Sequence, residues 1–195
     1  MKILVAVPTF ETIAPETFKS IWDLDKGGHQ VDFNYIKGYD CARARNDIAE
    51  MAQQNEYDYV LMVDSDVIIP SDALIKMLEF PCDIVLGCCP RKNARDKRVE
   101  LYKTGTFSFT DYYTYDTLPS MPRITIKGGG FACALVKVDC FNWIEFPWFK
   151  YVTYDDDSTL SEDLYFCLNA VKAGMFIEAD TRVRCGHLAR YYQYE

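Results

Sequence analysis

Long apolar segments are missing from this sequence of 195 residues. The first apolar run, residues 3–7, has five residues and is followed by Pro8. A signal-peptide core needs about 7–15 apolar residues and a membrane-spanning helix needs about 20. No other segment reaches that length, so we expect a chain without a signal peptide or a membrane span.

Basic residues are also scarce. The 21 Lys and Arg residues are outnumbered by 29 Asp and Glu residues, which gives a net charge of −8. Because the phosphate backbone of nucleic acids attracts Lys and Arg, this balance argues against a broad electrostatic interface with DNA or RNA. As a partner we expect a small molecule, a glycan or a protein rather than nucleic acid.

The eight cysteines include no Cys-x-x-Cys pair. Such pairs are typical of metal-binding and redox motifs, whereas most cysteines here lie in apolar segments. We interpret them as reduced core residues, which predicts a cytoplasmic location.

An apolar run at residues 59–63 ends in two carboxylates, Asp64 and Asp66. The run is typical of a buried strand. Two acids directly after such a strand indicate that negative charge serves a purpose at the end of that strand. Carboxylate oxygens are good ligands for Mg²⁺ or Mn²⁺, whose remaining positions are often filled by water and substrate phosphate. The alternative is that both acids cap a turn and the following helix.

Strand-like and helix-like segments alternate over the first ninety residues. This order predicts an α/β fold with a mostly parallel sheet covered by helices, and ligands bound beyond the carboxyl ends of the strands. With 49% hydrophobic residues, the chain predicts one domain. The predicted strands are 3–7, 31–36, 59–63 and 83–88. One predicted helix starts with residues 15–22 and is stopped by Gly27 and Gly28, and another, capped by Asp40, covers residues 41–54.

The middle of the chain differs in composition. Residues 90–98 are mainly basic, and residues 104–118 are rich in Thr and Tyr. The two segments could close over an anionic ligand, or they could be a solvated charge run and an edge hairpin. Gly128, Gly129 and Gly130 match no dinucleotide or P-loop pattern, but they would let a backbone approach a ligand closely or form a bulge.

Near the C-terminus, Ser161 can cap a helix that carries Glu162 and Asp163 in its first turn. These acids could stabilise the helix alone, or Asp163 could be a general base at the ligand edge of the sheet. His187 is one of only two histidines and could be a further Mn²⁺ ligand, although a lone His is more often a packed or surface residue.

Taken in order, these motifs resemble the GT-A glycosyltransferases, particularly the family-2-like group with its small bacterial and phage members. The resemblance covers nearly the whole chain, and it implies one domain in which residues 1–90 bind the nucleotide sugar and residues 91–195 form the acceptor and catalytic half. The matching motifs are Pro8-Thr9-Phe10 after the first strand, Ala44-Arg45-Asn46, Asp64-Ser65-Asp66, Gly129-Gly130-Phe131, the pair Glu162-Asp163 and the late His187.

The resemblance implies a role for each motif. Asp66 is expected on a Mn²⁺ or Mg²⁺ ion, Asp64 and Ser65 near the ribose or metal, and His187 as a further metal ligand. Asp163, with Glu162 beside it, is expected to take the proton from an acceptor hydroxyl, with inversion at the anomeric carbon. The residues expected around the base and ribose of the nucleotide are Pro8, Thr9, Phe10, Glu11, Arg43, Arg45 and Asn46.

The resemblance therefore implies a transferase that moves a sugar from a nucleoside-diphosphate donor, most often a UDP-sugar, to an acceptor hydroxyl. One alternative is a sugar-phosphate nucleotidyltransferase, although Pro8-Thr9-Phe10-Glu11 is not the Gly-rich loop with which such enzymes usually open. Another is a binding module that keeps the fold without the chemistry.

Overall fold

The structure is a computed structural model that describes residues 1–38, 40–79, 81–92, 98–107 and 111–188. The basic segment is therefore seen only at its ends, because Arg95 and Lys97 lie outside the described residues. The same holds for residues 108–110 of the expected flap.

The first two helices begin where local sequence signals predict, although the first ends at Trp22, before the predicted stop at Gly27 and Gly28. Pro15 occupies the first turn of the first helix, and the Asp40 side chain accepts a hydrogen bond from the backbone N–H of Arg43 at 2.7 Å, which caps the second. A 3₁₀ helix follows at Val138–Asn142. The α-helices are α1 (Pro15–Trp22), α2 (Cys41–Gln54), α3 (Ala73–Leu78) and α4 (Glu162–Lys172).

A seven-stranded sheet forms the centre of the fold, with the order β2-β1-β3-β10-β5-β13-β8. Its strands are β1 (Lys2–Thr9), β2 (Gln30–Lys37), β3 (Tyr59–Val63), β5 (Ile84–Cys88), β8 (Arg123–Ile126), β10 (Cys133–Lys137) and β13 (Ile177–Arg184). The shorter strands are β4 (Val67–Ile68), β6 (Arg98–Tyr102), β7 (Tyr112–Thr114), β9 (Gly128–Gly129), β11 (Val152–Thr153), β12 (Thr159–Leu160) and β14 (Gly186–His187).

Five strands of the central sheet run in one direction, as the α/β alternation predicts. β1 pairs in parallel with β2 and β3, and β5 pairs in parallel with β13. β10 is inserted antiparallel between β3 and β5, and β8 is antiparallel at the edge. The sheet is thus mostly parallel by direction, while β10 joins its two parallel groups.

Side chains that alternate along the strands build a separate apolar layer on each face of the sheet. In β3, Met62 points into the layer covered by α2 and α4, and Leu61 points into the layer covered by α1 and α3. Burying each large aliphatic side chain contributes about 1.5–3 kcal/mol, so both layers help to fix the register. No described helix is long and apolar enough to cross a bilayer.

The carboxyl ends of β1, β2 and β3 meet at one edge of the sheet, because the register pairs Thr9 with Lys37 and Ala6 with Met62. Three small sheets, β14-β4, β7-β6-β9 and β11-β12, supplement the central one. The first pairs His187 with Val67, directly after Asp66. The topology therefore brings Asp66 and His187, two of the three predicted metal ligands, to the same place.

Candidate functional site

A cleft of about 230 Å³ opens at this edge of the sheet. Many of the predicted nucleotide-site residues line it, namely Pro8, Thr9, Phe10, Asp64, Ser65 and Asp66. Glu11 lies beside it, in a second cleft that shares Phe10 and Gly38. The ends of β1 and β3 thus come together as the sequence pattern predicts.

Three further residues line the cleft that the sequence analysis did not assign to the site. They are Gly38, Asp40 and Cys41, which connect the end of β2 to the start of α2. The signal for them was present, because β2 is the parallel neighbour of β1 and its following loop must open onto the same edge.

Arg45 forms a buried charged network behind the cleft. Its side chain is only 2% exposed, and its Nη2 lies 2.9 Å from Oδ1 of Asp64. Its Nε lies 3.3 Å from Oε1 of Glu162, and its Nη1 donates to the carbonyl of Phe131 at 3.1 Å. One guanidinium therefore joins the strand that ends in the acidic motif to the first turn of α4.

This position corrects the expectations for Arg45 and Glu162. All three nitrogens of the Arg45 guanidinium have partners inside the protein, so we revise its role from a nucleotide contact to a positioning residue. Glu162 is buried and held by the same guanidinium, so it too positions the site rather than touching a reactant. Burial raises the pKa of Asp64, and the nearby Arg45 charge opposes that rise.

Asn46 and Arg43 also differ from the expectation of a nucleotide contact. The Asn46 side chain donates to the carbonyl of Phe149 at 2.8 Å and accepts from its N–H at 3.1 Å, so it anchors the segment before β11. The Arg43 side chain is exposed on α2, and Arg43 is absent from the residues that line the cleft. Within the motif Ala44-Arg45-Asn46, only Ala44 lines the cleft.

Asp66 faces Lys92 and His187 beside the cleft. Its Oδ2 pairs with Nζ of Lys92, and its Oδ1 lies 3.3 Å from Nε2 of His187. The His187 hydrogen bond and the Lys92 ammonium hold the pKa of Asp66 well below its usual range, and Asp66 in turn raises the pKa of His187. Asp66 therefore stays ionised at neutral pH.

The tautomer of His187 can be assigned from its second ring nitrogen. Nδ1 lies 2.9 Å from the carbonyl oxygen of Pro90, and a carbonyl can only accept, so Nδ1 carries a proton. Metal-binding histidines usually donate in this way through the nitrogen that does not bind the ion. In neutral His187 the lone pair of Nε2 then faces Oδ1 of Asp66. Both atoms are acceptors, so they repel each other unless a proton or a metal ion lies between them.

The donor set fits a divalent ion. In an octahedral site with bonds of about 2.1 Å, neighbouring ligand atoms are roughly 3 Å apart, close to the Asp66–His187 separation of 3.3 Å. Within the described ranges, no three His, Cys, Asp or Glu side chains converge on one metal position. Asp64, which we expected as a third ligand, has its Oδ1 occupied by Arg45. The two remaining protein ligands suit an ion whose other positions are filled by phosphate and water.

Asp163 is held in the first turn of α4 by hydrogen bonds to both of its carboxylate oxygens. Ser161 Oγ and the N–H of Leu164 donate to Oδ1, the latter at 2.8 Å, and the N–H of Phe131 donates to Oδ2 at 3.4 Å. Burial, aided by the negative charge of Glu162, raises the pKa of Asp163 to about 6. A carboxylate with such a pKa is ionised at pH 7 and more basic than an exposed one, as a general base requires.

Solved structures with the same architecture extend over nearly the whole chain. The crystal structure of A197 from STIV matches with a TM-score of 0.67 at 15% identity, over 97% of this chain and 87% of A197. GalNAc-T7, solved with UDP, GalNAc and Mn²⁺, also gives 0.67, at 8% identity, over 100% of this chain and 45% of its own. The chain has the GT-A fold.

A further match supports this fold assignment. Residues 1–349 of S. aureus TarS in complex with UDP give a TM-score of 0.55 at 17% identity, over 95% of this chain and 60% of TarS. No family model matches the sequence, and no curated protein matches it significantly. At these identities the likeness concerns the GT-A fold, so the chemistry must be argued from the residues at the site.

Proposed function

We propose that this protein is a metal-dependent glycosyltransferase that takes a sugar from a nucleoside-diphosphate donor, with a UDP-sugar as the first choice. The observation that carries the proposal is the pairing of Asp66 with a correctly oriented His187 at the mouth of the cleft. The UDP in the structures of TarS and GalNAc-T7, and the Mn²⁺ in the latter, support this choice of ligands.

The cleft offers the nucleotide an apolar and a polar side. Phe10 is 58% exposed and can stack on a base, while Asp64 and Ser65 can accept hydrogen bonds from ribose hydroxyls. The diphosphate would then lie at Asp66, where Lys92 supplies a positive charge. A divalent ion held by Asp66 and His187 would offset the charge that develops on the leaving diphosphate.

Asp163 completes the proposed reaction as the general base. It would accept the proton of an acceptor hydroxyl as that oxygen attacks the anomeric carbon from the face opposite the leaving group, which inverts the configuration. Its raised pKa and its fixed hydrogen bonds support this role. The eight free thiols support the accompanying proposal that the protein works in a reducing compartment such as the cytoplasm.

A donor panel tests the proposal. The protein is incubated with Mn²⁺ and a series of nucleoside-diphosphate sugars, and release of the nucleoside diphosphate is scored by mass spectrometry. We expect release from at least one donor and its loss in Asp163→Asn, with UDP binding retained. Absence of release from every donor would contradict the enzyme function, and unchanged release in Asp163→Asn would contradict the assigned base.

A further inference from the structure

Two carboxylates lie close to Gly130. A Cβ atom added to Gly130 would lie 3.0 Å from Oε2 of Glu100 and 3.6 Å from Oδ2 of Asp163. The first distance is tighter than an ordinary contact, so the absence of a Cβ lets the Glu100 carboxylate approach this backbone beside Asp163. Asp163 is the base proposed above, whereas the proposed mechanism gives Glu100 no part.

The backbone of β6 places Glu100 next to Gly130. β6 pairs with β9, and the N–H of Gly130 donates to the carbonyl of Glu100 at 2.8 Å. Val99 and Leu101 point into the core, so Glu100 and Tyr102 lie on the opposite face of the strand. Burial raises the pKa of Tyr102, and the charges of Glu100 and Asp163 add to that rise.

The surroundings of Glu100 extend to the proposed metal site. A small cavity of about 20 Å³ is lined by Glu100 and Gly130 together with His187 and the residue that orients it, Pro90. Arg91 lies 3.6 Å from Oε1 of Glu100, so the other oxygen, Oε2, is the one that faces Gly130. Glu100 thus lies close to Asp163 at Gly130 and shares a cavity with His187.

We infer that Glu100 is a specificity-determining residue that accepts hydrogen bonds from hydroxyl groups of the transferred sugar. The inference rests on the proposed function, in which the sugar ring must lie between the metal-bound diphosphate and the base. A carboxylate beside that position is a strong acceptor for sugar hydroxyls.

The same charges define a substrate class. A uronic acid would bring its own carboxylate toward Glu100 and Asp163, and like charges at such distances disfavour binding. The structure therefore favours donors that carry an uncharged hexose or N-acetylhexosamine over donors that carry a uronate.

Calorimetry with three probes tests this selectivity in the presence of Mn²⁺: UDP, UDP-glucose and UDP-glucuronate. We expect wild type to bind UDP-glucose at least about tenfold more tightly than UDP-glucuronate. In Glu100→Gln that ratio should fall by about 10- to 100-fold while the Kd of UDP stays unchanged. Glu145→Gln, which removes an exposed charge elsewhere, is the matched control and should preserve the ratio.

Displacing the Glu100 carboxylate gives a second variant. Gly130→Ala should leave the Kd of UDP unchanged and weaken UDP-glucose, because the added methyl group would lie 3.0 Å from Oε2 of Glu100 and push that carboxylate away. Gly105→Ala is its control, since a Cβ at Gly105 meets no atom within 4 Å. Melting temperatures of both variants establish that they fold.

The outcomes separate the two proposals. If wild type binds no UDP, the proposed function fails and this inference with it. If UDP binds but UDP-glucose and UDP-glucuronate bind equally, or Glu100→Gln leaves their ratio unchanged, only the role of Glu100 is overturned.

Discussion

The two acids of the Asp-Ser-Asp motif lie two residues apart and have opposite surroundings. Asp64 faces inward to Arg45, whose side chain is 2% exposed and also holds Glu162. Asp66 faces the mouth of the cleft, where it meets Lys92 and His187. Asp64 therefore connects β3 to α4, the helix that carries the proposed base. Asp66 lies at the position where the ligand is proposed to bind.

The difference follows from the alternation of side chains beyond β3. Residues i and i+2 share a face in a strand, but the strand ends at Val63, and the chain turns before β4. Asp64 therefore stays beside the neighbouring backbone, where its N–H donates to the carbonyl of Ala132 at 3.0 Å. Asp66 lies past the turn, and its carbonyl accepts from the N–H of Leu188 at 2.9 Å. Asp64 thus supports the structure, whereas Asp66, two residues later, lies at the proposed ligand-binding position.

Arg45→Met is expected to have the largest effect on the free energy of unfolding, and it tests the difference between Asp64 and Asp66. Removing the guanidinium leaves Asp64 and Glu162 without their buried partner, which should lower the free energy of unfolding by about 3–5 kcal/mol. Asp66→Asn should change it by less than about 1 kcal/mol, since its cationic partners are more exposed. Urea denaturation measures both values.

Arg43→Met is the matched control, because Arg43 lies on the same helix with its side chain exposed. It should change the free energy of unfolding by no more than about 0.5 kcal/mol. A loss in Arg45→Met as small as that in Arg43→Met would show that the buried network does not support the site.

The next effect concerns pH. Asp163 must be ionised to accept a proton, and its pKa is raised to about 6, so turnover should fall as the pH drops through that value. Well below the pKa of Asp163, the turnover rate should fall almost tenfold per pH unit. Well above that pKa, the turnover rate should be constant. The rate of nucleoside-diphosphate release between pH 4.5 and 8 gives the profile. A midpoint near 4, the ordinary value for an exposed carboxyl, would contradict the buried environment assigned to the base.

The smallest effect is expected from Lys92→Met. The Lys92 ammonium pairs with the same carboxylate that is proposed to bind the metal, so its removal should tighten Mn²⁺ binding by up to about fivefold. Lys137→Met removes one charge at the far end of β10 and should leave Mn²⁺ affinity unchanged. Weaker Mn²⁺ binding in Lys92→Met would mean that Lys92 supports the metal site instead of competing with it.

The elements that local signals define were predictable from the sequence. The start of α1 and the bounds of α2 and β3 match the sequence prediction because proline at an early position, an Asp cap and a bounded apolar run are all local. The position of β10 was not predictable in this way. Its antiparallel insertion between β3 and β5 depends on pairing with residues about 50–80 positions away.

The site was predictable in its outline but not in its division of roles. Asp66, His187 and Asp163 were singled out because their motifs, each common by itself, follow one another in the order that resembles the GT-A glycosyltransferases. The burial of Arg45 could not be seen, because its partners Phe131 and Glu162 lie 86 and 117 residues away. Glu100 was overlooked because one acid in an alternating strand resembles an ordinary surface residue.

The affinity for Mn²⁺ at saturating UDP, measured by electron paramagnetic resonance, tests the division between the two acids most directly. Asp66→Asn should weaken Mn²⁺ binding by at least about 100-fold, since it removes a ligand. Asp64→Asn should keep it within about threefold of wild type, provided that circular dichroism shows a folded protein. Equal losses in the two variants, or no loss in Asp66→Asn, would contradict the account.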